Sequence, residues 1–172
     1  ALAGVLAGRV APSERLPVGI PRVPGASPWT YLLPPLGRRR PGYTSLDPDM
    51  AFPFGHGLSY TSFALGDLAL SSETIVPDGT LEIAATVTNT GRRAGVHVVQ
   101  LYLRDEVAQV TTPVKRLVGY ARVELAPGES RRVTFDLHAD RTAFTGIDLT
   151  RIVEPGWFTV WVGEDSEDDR LS

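Results

Sequence analysis

The segment that most constrains this chain is residues 52–63, which read FPFGHGLSYTSF. Five rings and two glycines fall within these twelve residues. Rings bury large areas against whatever they contact, and glycines permit a positive φ or a close approach, so the segment is neither an ordinary helix nor an ordinary strand. We therefore predict an aromatic clasp at residues 51–63 that holds a β domain against a larger body. Its rings belong to Phe52, Phe54, His56, Tyr60 and Phe63.

Composition excludes several classes of function. The net charge of −3 and the scattered basic residues give no reason to expect nucleic acid as a partner, and the one basic run, residues 38–40, is expected to be a solvated loop. No apolar run approaches the roughly 20 residues that span a bilayer, so no membrane partner is expected. The chain has no cysteine, and its three histidines lie about 41 residues apart, without the spacing of a metal site.

The first 50 residues predict little regular structure. Residues 1–8 are typical of the end of a helix that stops at Gly8. Ten of the 14 prolines lie at or before Pro53, and a residue that precedes proline is pushed away from helical geometry. A loop as long as residues 22–50 is unusual inside an independent domain. We therefore interpret residues 1–50 as the tail of a domain whose main mass is absent, wrapped over a neighbouring body.

From Phe63 onward the apolar pattern has a period of two, which predicts strands. Residues 81–87 and 132–137 alternate, whereas residues 96–103 are apolar on both faces, as in a central strand. Asn-Thr-Gly and Pro-Gly sequences separate these runs and predict turns. This pattern predicts an all-β fold, an antiparallel β-sandwich of the immunoglobulin or fibronectin type III kind with about seven strands. The acidic tail, residues 164–169, is expected to be solvated.

These residues also resemble a known family. The aromatic clasp is similar to the PFG-[YH]-GLSYT-x-F signature that joins the second and third domains of glycoside hydrolase family 3 enzymes, the β-glucosidases and β-xylosidases. The runs VTNTG at 87–91 and VVQLYLRD at 98–105 resemble motifs of the fibronectin type III-like domain that ends many of these enzymes. Residues 12–17 resemble the element that closes their α/β-sandwich domain. The resemblance implies a division into an α/β-sandwich remnant at 1–50, the aromatic clasp at 51–63 and a fibronectin type III-like sandwich at 64–172.

The resemblance implies a parent enzyme that removes β-linked sugars from a non-reducing end with retention, without a metal or a cofactor. It implies that the nucleophilic Asp belongs to an N-terminal barrel and the acid/base residue usually to the second domain. The expected partners are therefore those two domains and, through the parent, a β-linked oligosaccharide. Neither the Ser-Asp-Trp nor the Lys-His-Phe motif of the catalytic region occurs in this chain. No catalytic residue is assigned, and the chain alone is predicted to be inactive.

The distribution of carboxyl groups leads to the same expectation without the resemblance. Retaining hydrolysis needs two carboxyl groups about 5–5.5 Å apart, one of them kept protonated by an apolar setting. The acidic residues of this chain fall in turns, on outward strand positions or in the tail, and none lies within an apolar run. We therefore expect no catalytic carboxyl pair.

Two tryptophans leave a second function open. Trp157 and Trp161 share a face of the last predicted strand, roughly 13 Å apart, and two exposed indoles at that distance could stack on a sugar. Packing beneath the clasp or against the absent domains is favoured, because an exposed tryptophan pair is costly on a soluble surface. Three hypotheses thus stand: a scaffold module of a family 3 glycosidase, a stand-alone carbohydrate-binding or adhesion module, and an independent enzyme.

Overall fold

A computed structural model describes residues 2–27, 30–37 and 49–172. The basic run at 38–40 lies outside the described residues. The elements, in chain order, are α1 (Leu2–Leu6), β1 (Ile20–Pro21), two 3-10 turns (Pro24–Ala26 and Pro35–Gly37), β2 (Met50–Phe52), β3 (Phe63–Leu70), β4 (Thr80–Asn89), β5 (Gly95–Asp105), β6 (Arg116–Leu125), β7 (Ser130–His138), a 3-10 turn (Ala139–Thr142), β8 (Phe144–Thr145), β9 (Arg151–Ile152) and β10 (Phe158–Gly163).

Two three-stranded antiparallel sheets form the body of the protein. Their strand orders are β3-β4-β7 and β10-β5-β6, while β1 pairs with β2 and β8 pairs with β9 as separate two-stranded ribbons. The predicted all-β antiparallel sandwich is confirmed. The two main sheets of the described chain contain six strands, one fewer than the sequence pattern suggested.

Alternation of side chains places the core between the sheets. In β7 the apolar residues Val133, Phe135 and Leu137 are buried and the intervening residues are exposed, as the period of two predicted. Strand β5 is buried on both faces along most of its length, because the opposite sheet covers one face and the N-terminal segment lies on the other. The buried cluster comprises Ile83, Ala85, Val87, Val99, Leu101, Leu103, Val123, Leu125, Val133, Phe135, Leu137 and Val162.

The Asn-Thr-Gly turn is held by one buried side chain. Asn89 Oδ1 accepts hydrogen bonds from Thr61 Oγ1 at 2.7 Å and from the Gly91 amide at 3.0 Å. Its Nδ2 donates to the carbonyl oxygens of Arg93 and Leu125. One amide therefore joins the end of the aromatic clasp, the β4–β5 turn and the end of β6, which explains why asparagine stands there.

The N-terminal segment has little regular structure of its own. Helix α1 is only five residues long, and Gly8 follows it with a φ of +69°, as the predicted helix stop requires. Among the remaining described residues before Met50, the regular elements are one two-residue strand and two short 3-10 turns, and the other residues are irregular. None of the helices in the described ranges is long and apolar enough to cross a membrane.

The expectation of a solvated acidic tail is wrong. Ser166 is buried, the Ser166 amide donates to the Phe54 carbonyl at 2.9 Å, and the Asp169 carboxylate pairs with the buried Lys115. The tail folds back because Lys115, Arg170 and nearby backbone groups offer it partners. Sequence pattern alone does not reveal such partners.

Candidate functional site

The aromatic clasp connects the N-terminal segment with the sandwich. Its first part is β2, which pairs with β1 through the register Ile20 with Phe52. Beyond β2 the Gly55 amide donates to the Leu16 carbonyl at 2.9 Å, and the Leu16 amide donates to the His56 carbonyl at 2.9 Å. The backbone of the clasp is therefore hydrogen-bonded on one side to Leu16 and paired with Ile20. Sequence analysis assigned both residues to the α/β-sandwich remnant at 1–50.

Gly55 lies where a side chain would be strained. Its φ is +83°, and a Cβ built on it would lie 2.2 Å from Gln100 Oε1. The close approach allows Gln100 Nε2 to donate to the Gly55 carbonyl at 3.1 Å and also to the Glu164 carbonyl. Tyr102 Oη donates to Gln100 Oε1 at 2.6 Å. Gln100 thus joins the clasp, β5 and the turn after β10 in one buried network.

The ring of Phe54 stacks on a ring of the N-terminal segment. The centroids of Phe54 and Tyr31 are 4.2 Å apart with an interplanar angle of 13°, and Tyr31 meets Tyr102 edge-on at 6.3 Å. Tyr31 Oη also accepts a hydrogen bond from the Leu117 amide at 3.2 Å. Tyr31 therefore lies between the clasp and the outer face of the β10-β5-β6 sheet. Aromatic pairs of this kind contribute about 0.5–1.5 kcal/mol beyond the area that they bury.

Phe63, the last ring of the clasp, packs against the buried histidine of β5. The rings of Phe63 and His97 are 4.6 Å apart, and His97 Nδ1 lies 3.1 Å from Arg15 Nη2. Because a guanidinium only donates, Nδ1 is the acceptor, and the proton of the neutral ring is on Nε2. Burial, followed by the charge of Arg15, lowers the pKa of His97 to about 4. His97 is therefore neutral at pH 7.

The other rings of the clasp lie closer to the surface. Tyr60 Oη donates to the Val5 carbonyl at 2.7 Å, which ties α1 to the clasp. Phe52 and His56 have ring centroids 5.2 Å apart, and His56 Nδ1 lies 3.5 Å from an Asp165 carboxylate oxygen. Phe52 and Tyr60 keep 45% and 42% of their surface exposed. The N-terminal segment therefore covers the inner rings and leaves the outer ones open.

The two tryptophans have different surroundings. The row of β10 opposite Trp161, which comprises Phe158, Val160 and Val162, packs on the core. Trp161 is half-buried, and Lys115 Nζ lies 4.6 Å from its ring centroid, so a cation occupies one face of the indole. Trp157 precedes β10, is 82% exposed and borders a cleft between the sheets. A joint sugar contact through Trp157 and Trp161 stays a prediction.

Sequence reasoning missed three polar residues that this site depends on. Gln100, His97 and Lys115 are each at most 3% exposed. The available signal was a glutamine and a histidine inside the apolar run of residues 96–103, because a polar group buried in a central strand needs a hydrogen-bond partner. The identity of those partners, Gly55 and Arg15, was not available from the pattern.

Carboxyl groups with a raised pKa are far apart. Burial raises the pKa of Asp105 and of Glu164. Asp105 lies opposite Phe158 at one end of β10, and Glu164 follows Gly163 at the other, so they are separated by roughly 17–20 Å along the strand. Among the residues that the structure describes, no three His, Asp or Glu side chains are grouped as a metal site requires.

Known proteins share this fold and sequence. Residues 97–166 match the fibronectin type III-like domain family. The chain is 42% identical over 99% of its length to a β-xylosidase of Formosa agariphila and 41% identical over 96% to a periplasmic β-glucosidase of Salmonella typhimurium. This chain is the C-terminal region of a family 3 glycoside hydrolase. It spans about a quarter of the length of these relatives, 24% and 23%.

Solved structures extend the likeness to the N-terminal segment. A β-glucosidase of Erythrobacter marinus superimposes with a TM-score of 0.90 at 41% identity, and a β-glucosidase of Listeria innocua in complex with gluconolactone superimposes with a TM-score of 0.89 at 32% identity. Each match covers 97% of this chain, against 22% and 24% of the other chain. The likeness therefore includes the clasp and the segment before it as well as the sandwich.

Proposed function

We propose that this chain is the non-catalytic C-terminal module of a retaining, exo-acting β-glucosidase or β-xylosidase, and that the aromatic clasp holds the sandwich against the rest of that enzyme. The observation that carries the proposal is the half-covered state of the clasp. Phe54 and Phe63 are packed by the N-terminal segment and by β5, whereas Phe52, Leu58 and Tyr60 remain exposed. Exposed apolar surface beside packed rings is typical of a contact with a further domain.

The distribution of exposed apolar side chains supports this interpretation. Ten of the 17 large hydrophobic residues that are exposed in the described chain lie before Phe63, although the sandwich is much the longer region. They are Leu2, Leu6, Val10, Val18, Ile20, Leu32, Leu36, Phe52, Leu58 and Tyr60. Parts of the parent enzyme that precede the sandwich, a barrel and the main body of an α/β-sandwich domain, would cover this surface.

The positions of the carboxyl groups support a non-catalytic role. A retaining pair needs a separation of about 5–5.5 Å and an inverting pair about 6.5–9.5 Å. Asp105 and Glu164, whose pKa values burial raises, are farther apart than the carboxyl groups of either kind of pair. Glu164 also lies 3.8 Å from the Arg170 guanidinium, whose charge favours the ionised form of its carboxyl group and opposes the effect of burial on its pKa. The purified chain should therefore release no measurable nitrophenol from p-nitrophenyl β-glucoside or β-xyloside, and robust turnover would overturn this proposal.

A chimera tests the role of the clasp directly. This chain replaces the corresponding C-terminal region of the Salmonella typhimurium periplasmic β-glucosidase, and hydrolysis of p-nitrophenyl β-glucoside and the thermal midpoint are measured. Phe52→Ala should lower both in the chimera and should lower the midpoint of the isolated chain much less, because Phe52 keeps 45% of its surface exposed in the chain alone. Val107→Ala, at an exposed residue after β5, is the matched control and should change neither protein. Equal effects of Phe52→Ala in chain and chimera would contradict the proposal.

The carbohydrate-binding alternative has one supporting observation, the exposed indole of Trp157 at the border of a cleft. It predicts that titration with cello-oligosaccharide or xylo-oligosaccharide changes the tryptophan fluorescence of the chain and that Trp157→Ala abolishes the change. Trp161→Phe is the control, since Lys115 already occupies a face of that ring. A fluorescence signal that does not respond to either sugar would count against this function.

A further inference from the structure

One peptide group of the aromatic clasp is hydrogen-bonded on both of its sides. The Gly55 amide donates to the Leu16 carbonyl at 2.9 Å. The Phe54 carbonyl belongs to the same peptide group and accepts from the Ser166 amide, also at 2.9 Å. The N–H and C=O of a planar trans peptide point in opposite directions. The N-terminal segment and the acidic tail therefore hold the clasp from opposite sides.

Two side chains add further contacts between the acidic tail and this part of the clasp. An Asp165 carboxylate oxygen lies 3.5 Å from His56 Nδ1. Gln100 Nε2 donates to the Glu164 carbonyl as well as to the carbonyl of the clasp glycine. The acidic tail is therefore attached both to the clasp and to β5.

The acidic tail holds its own charges close together. Five of the six residues from 164 to 169 carry carboxylates. Like charges at this spacing repel each other, and more strongly where water is partly excluded. Arg170 offsets some of this charge, at 2.7 Å from Asp168 and 3.8 Å from Glu164. A cation from outside the tail supplies the other contact.

That cation is Lys115, which is the only lysine of the chain and is 3% exposed. Its Nζ donates to the Asp168 carbonyl at 3.2 Å and to the Asp169 carboxylate. The ring centroids of Tyr102 and Trp161 lie 5.4 Å and 4.6 Å from it. The side chain of Asp169 is 61% exposed, so the pair reaches the protein surface. Release of the tail would therefore open the ammonium group to water and would leave no charge buried without a partner.

We propose that the acidic tail is a releasable strap that locks the aromatic clasp and is anchored by Lys115. When residues 164–169 detach, the peptide group between Phe54 and Gly55 loses one of its two partners, and the clasp loosens while both sheets stay folded. Segments with few buried apolar contacts open locally in this way, and none of the tail residues belongs to the buried core cluster. The strap acts on the clasp of the chain alone, before any contact with a further domain.

The single lysine gives a direct measure of release. Acetylation by an N-hydroxysuccinimide ester, followed by mass spectrometry, compares the rate at Lys115 with the rate at the terminal α-amino group of the same molecule. Asp169→Ala should raise this relative rate about tenfold, because a hydrogen bond to a charged group is lost. Asp140→Ala, which removes the exposed partner of Arg151 in the sandwich, is the matched control and should leave the rate unchanged.

Hydrogen exchange of individual amides shows whether release reaches the clasp. In Asp169→Ala the Ser166 amide should exchange about tenfold faster, and so should the Gly55 amide, although its partner Leu16 is not part of the tail. The Ile83 amide, in the core of the sandwich, should keep its rate, because a local opening leaves the sheets folded.

Three outcomes would overturn the proposal. If the Gly55 amide keeps its rate in Asp169→Ala, the tail does not act on the clasp, whether or not the Ser166 amide exchanges faster. If the Gly55 and Ile83 amides are accelerated alike, the substitution weakens the whole fold and not a strap. If Lys115 of the unmodified chain is acetylated as fast as the α-amino group, the tail does not cover it.

Discussion

The sandwich and the N-terminal segment differ in how far they bury their apolar residues. The sandwich of residues 63–172 packs two sheets against each other and contributes every member of the main buried cluster. The segment before it has a five-residue helix and strands of two and three residues, and it keeps most of its large apolar side chains exposed. Its order depends on contacts made through the aromatic clasp. A region that lacks a core of its own has to be positioned by its neighbours.

Ile83→Ala, in the core of the sandwich, should lower the free energy of unfolding more than any other substitution proposed here. It should destabilise the sandwich and the N-terminal segment alike. Ile83 is fully buried between the sheets, and removing an isoleucine side chain from such a site costs roughly 2–5 kcal/mol of unfolding free energy. Because the N-terminal segment has no core of its own, both regions should unfold together. Chemical denaturation followed by tryptophan fluorescence and by far-UV circular dichroism should give one shared transition. Separate transitions would contradict the dependence of the segment on the sandwich.

Gly55→Ala should separate the two regions. The substitution costs about 1–2 kcal/mol for the positive φ and about 1–3 kcal/mol for the contact with Gln100. The strain falls on the clasp, so limited proteolysis should release residues before 63 while the sandwich stays intact.

Gly128→Ala is the matched control for Gly55→Ala. Its φ is +75°, but a Cβ there would meet open space, so only the conformational cost applies. Equal proteolysis of the two variants would show that the close approach to Gln100 does not hold the clasp.

Acid should weaken the junction between the regions through His97. The unfolded ring takes up a proton near its ordinary pKa of 6.5, whereas the buried ring does so only near 4, so the unfolded state binds more protons between these values. The free energy of unfolding should therefore fall as the pH is lowered from 6.5 to about 4. The loss from His97 is up to about 3 kcal/mol.

Unfolding free energy measured from pH 7 to pH 4 checks this expectation. His97→Gln should flatten the pH dependence, and His138→Gln, at an exposed histidine of the sandwich, should leave it in place. If the unfolding free energies of His97→Gln and of the unmodified chain change equally with pH, the acid sensitivity comes from other groups.

The ion pair between Arg122 and Glu14 should have the smallest effect. It joins β6 to the N-terminal segment at 2.8 Å, but both side chains are largely exposed. Exposed ion pairs contribute little in water and are screened by salt. Arg122→Ala should leave the thermal midpoint unchanged, both at low salt and at 0.5 M NaCl. A clear fall at low salt alone would show that this pair helps to hold the segment.

The sequence by itself determined the local features of this protein. The period of two in residues 81–87 and 132–137 specified strands and their inward faces, and the Asn-Thr-Gly and Pro-Gly sequences specified turns. The order of aromatics and glycines in residues 52–63 specified the family. These features depend on side chains within a few residues of one another, whose geometry is nearly independent of the rest of the fold.

Tertiary structure alone decided which distant groups meet. Gln100 reaches Gly55 across 45 residues, and His97 reaches Arg15 across 82. The acidic tail folds onto Lys115 although its composition favoured water. Each pairing depends on two elements being brought together by the packing of the sheets. A buried polar group finds its partner through that packing and not through spacing along the chain.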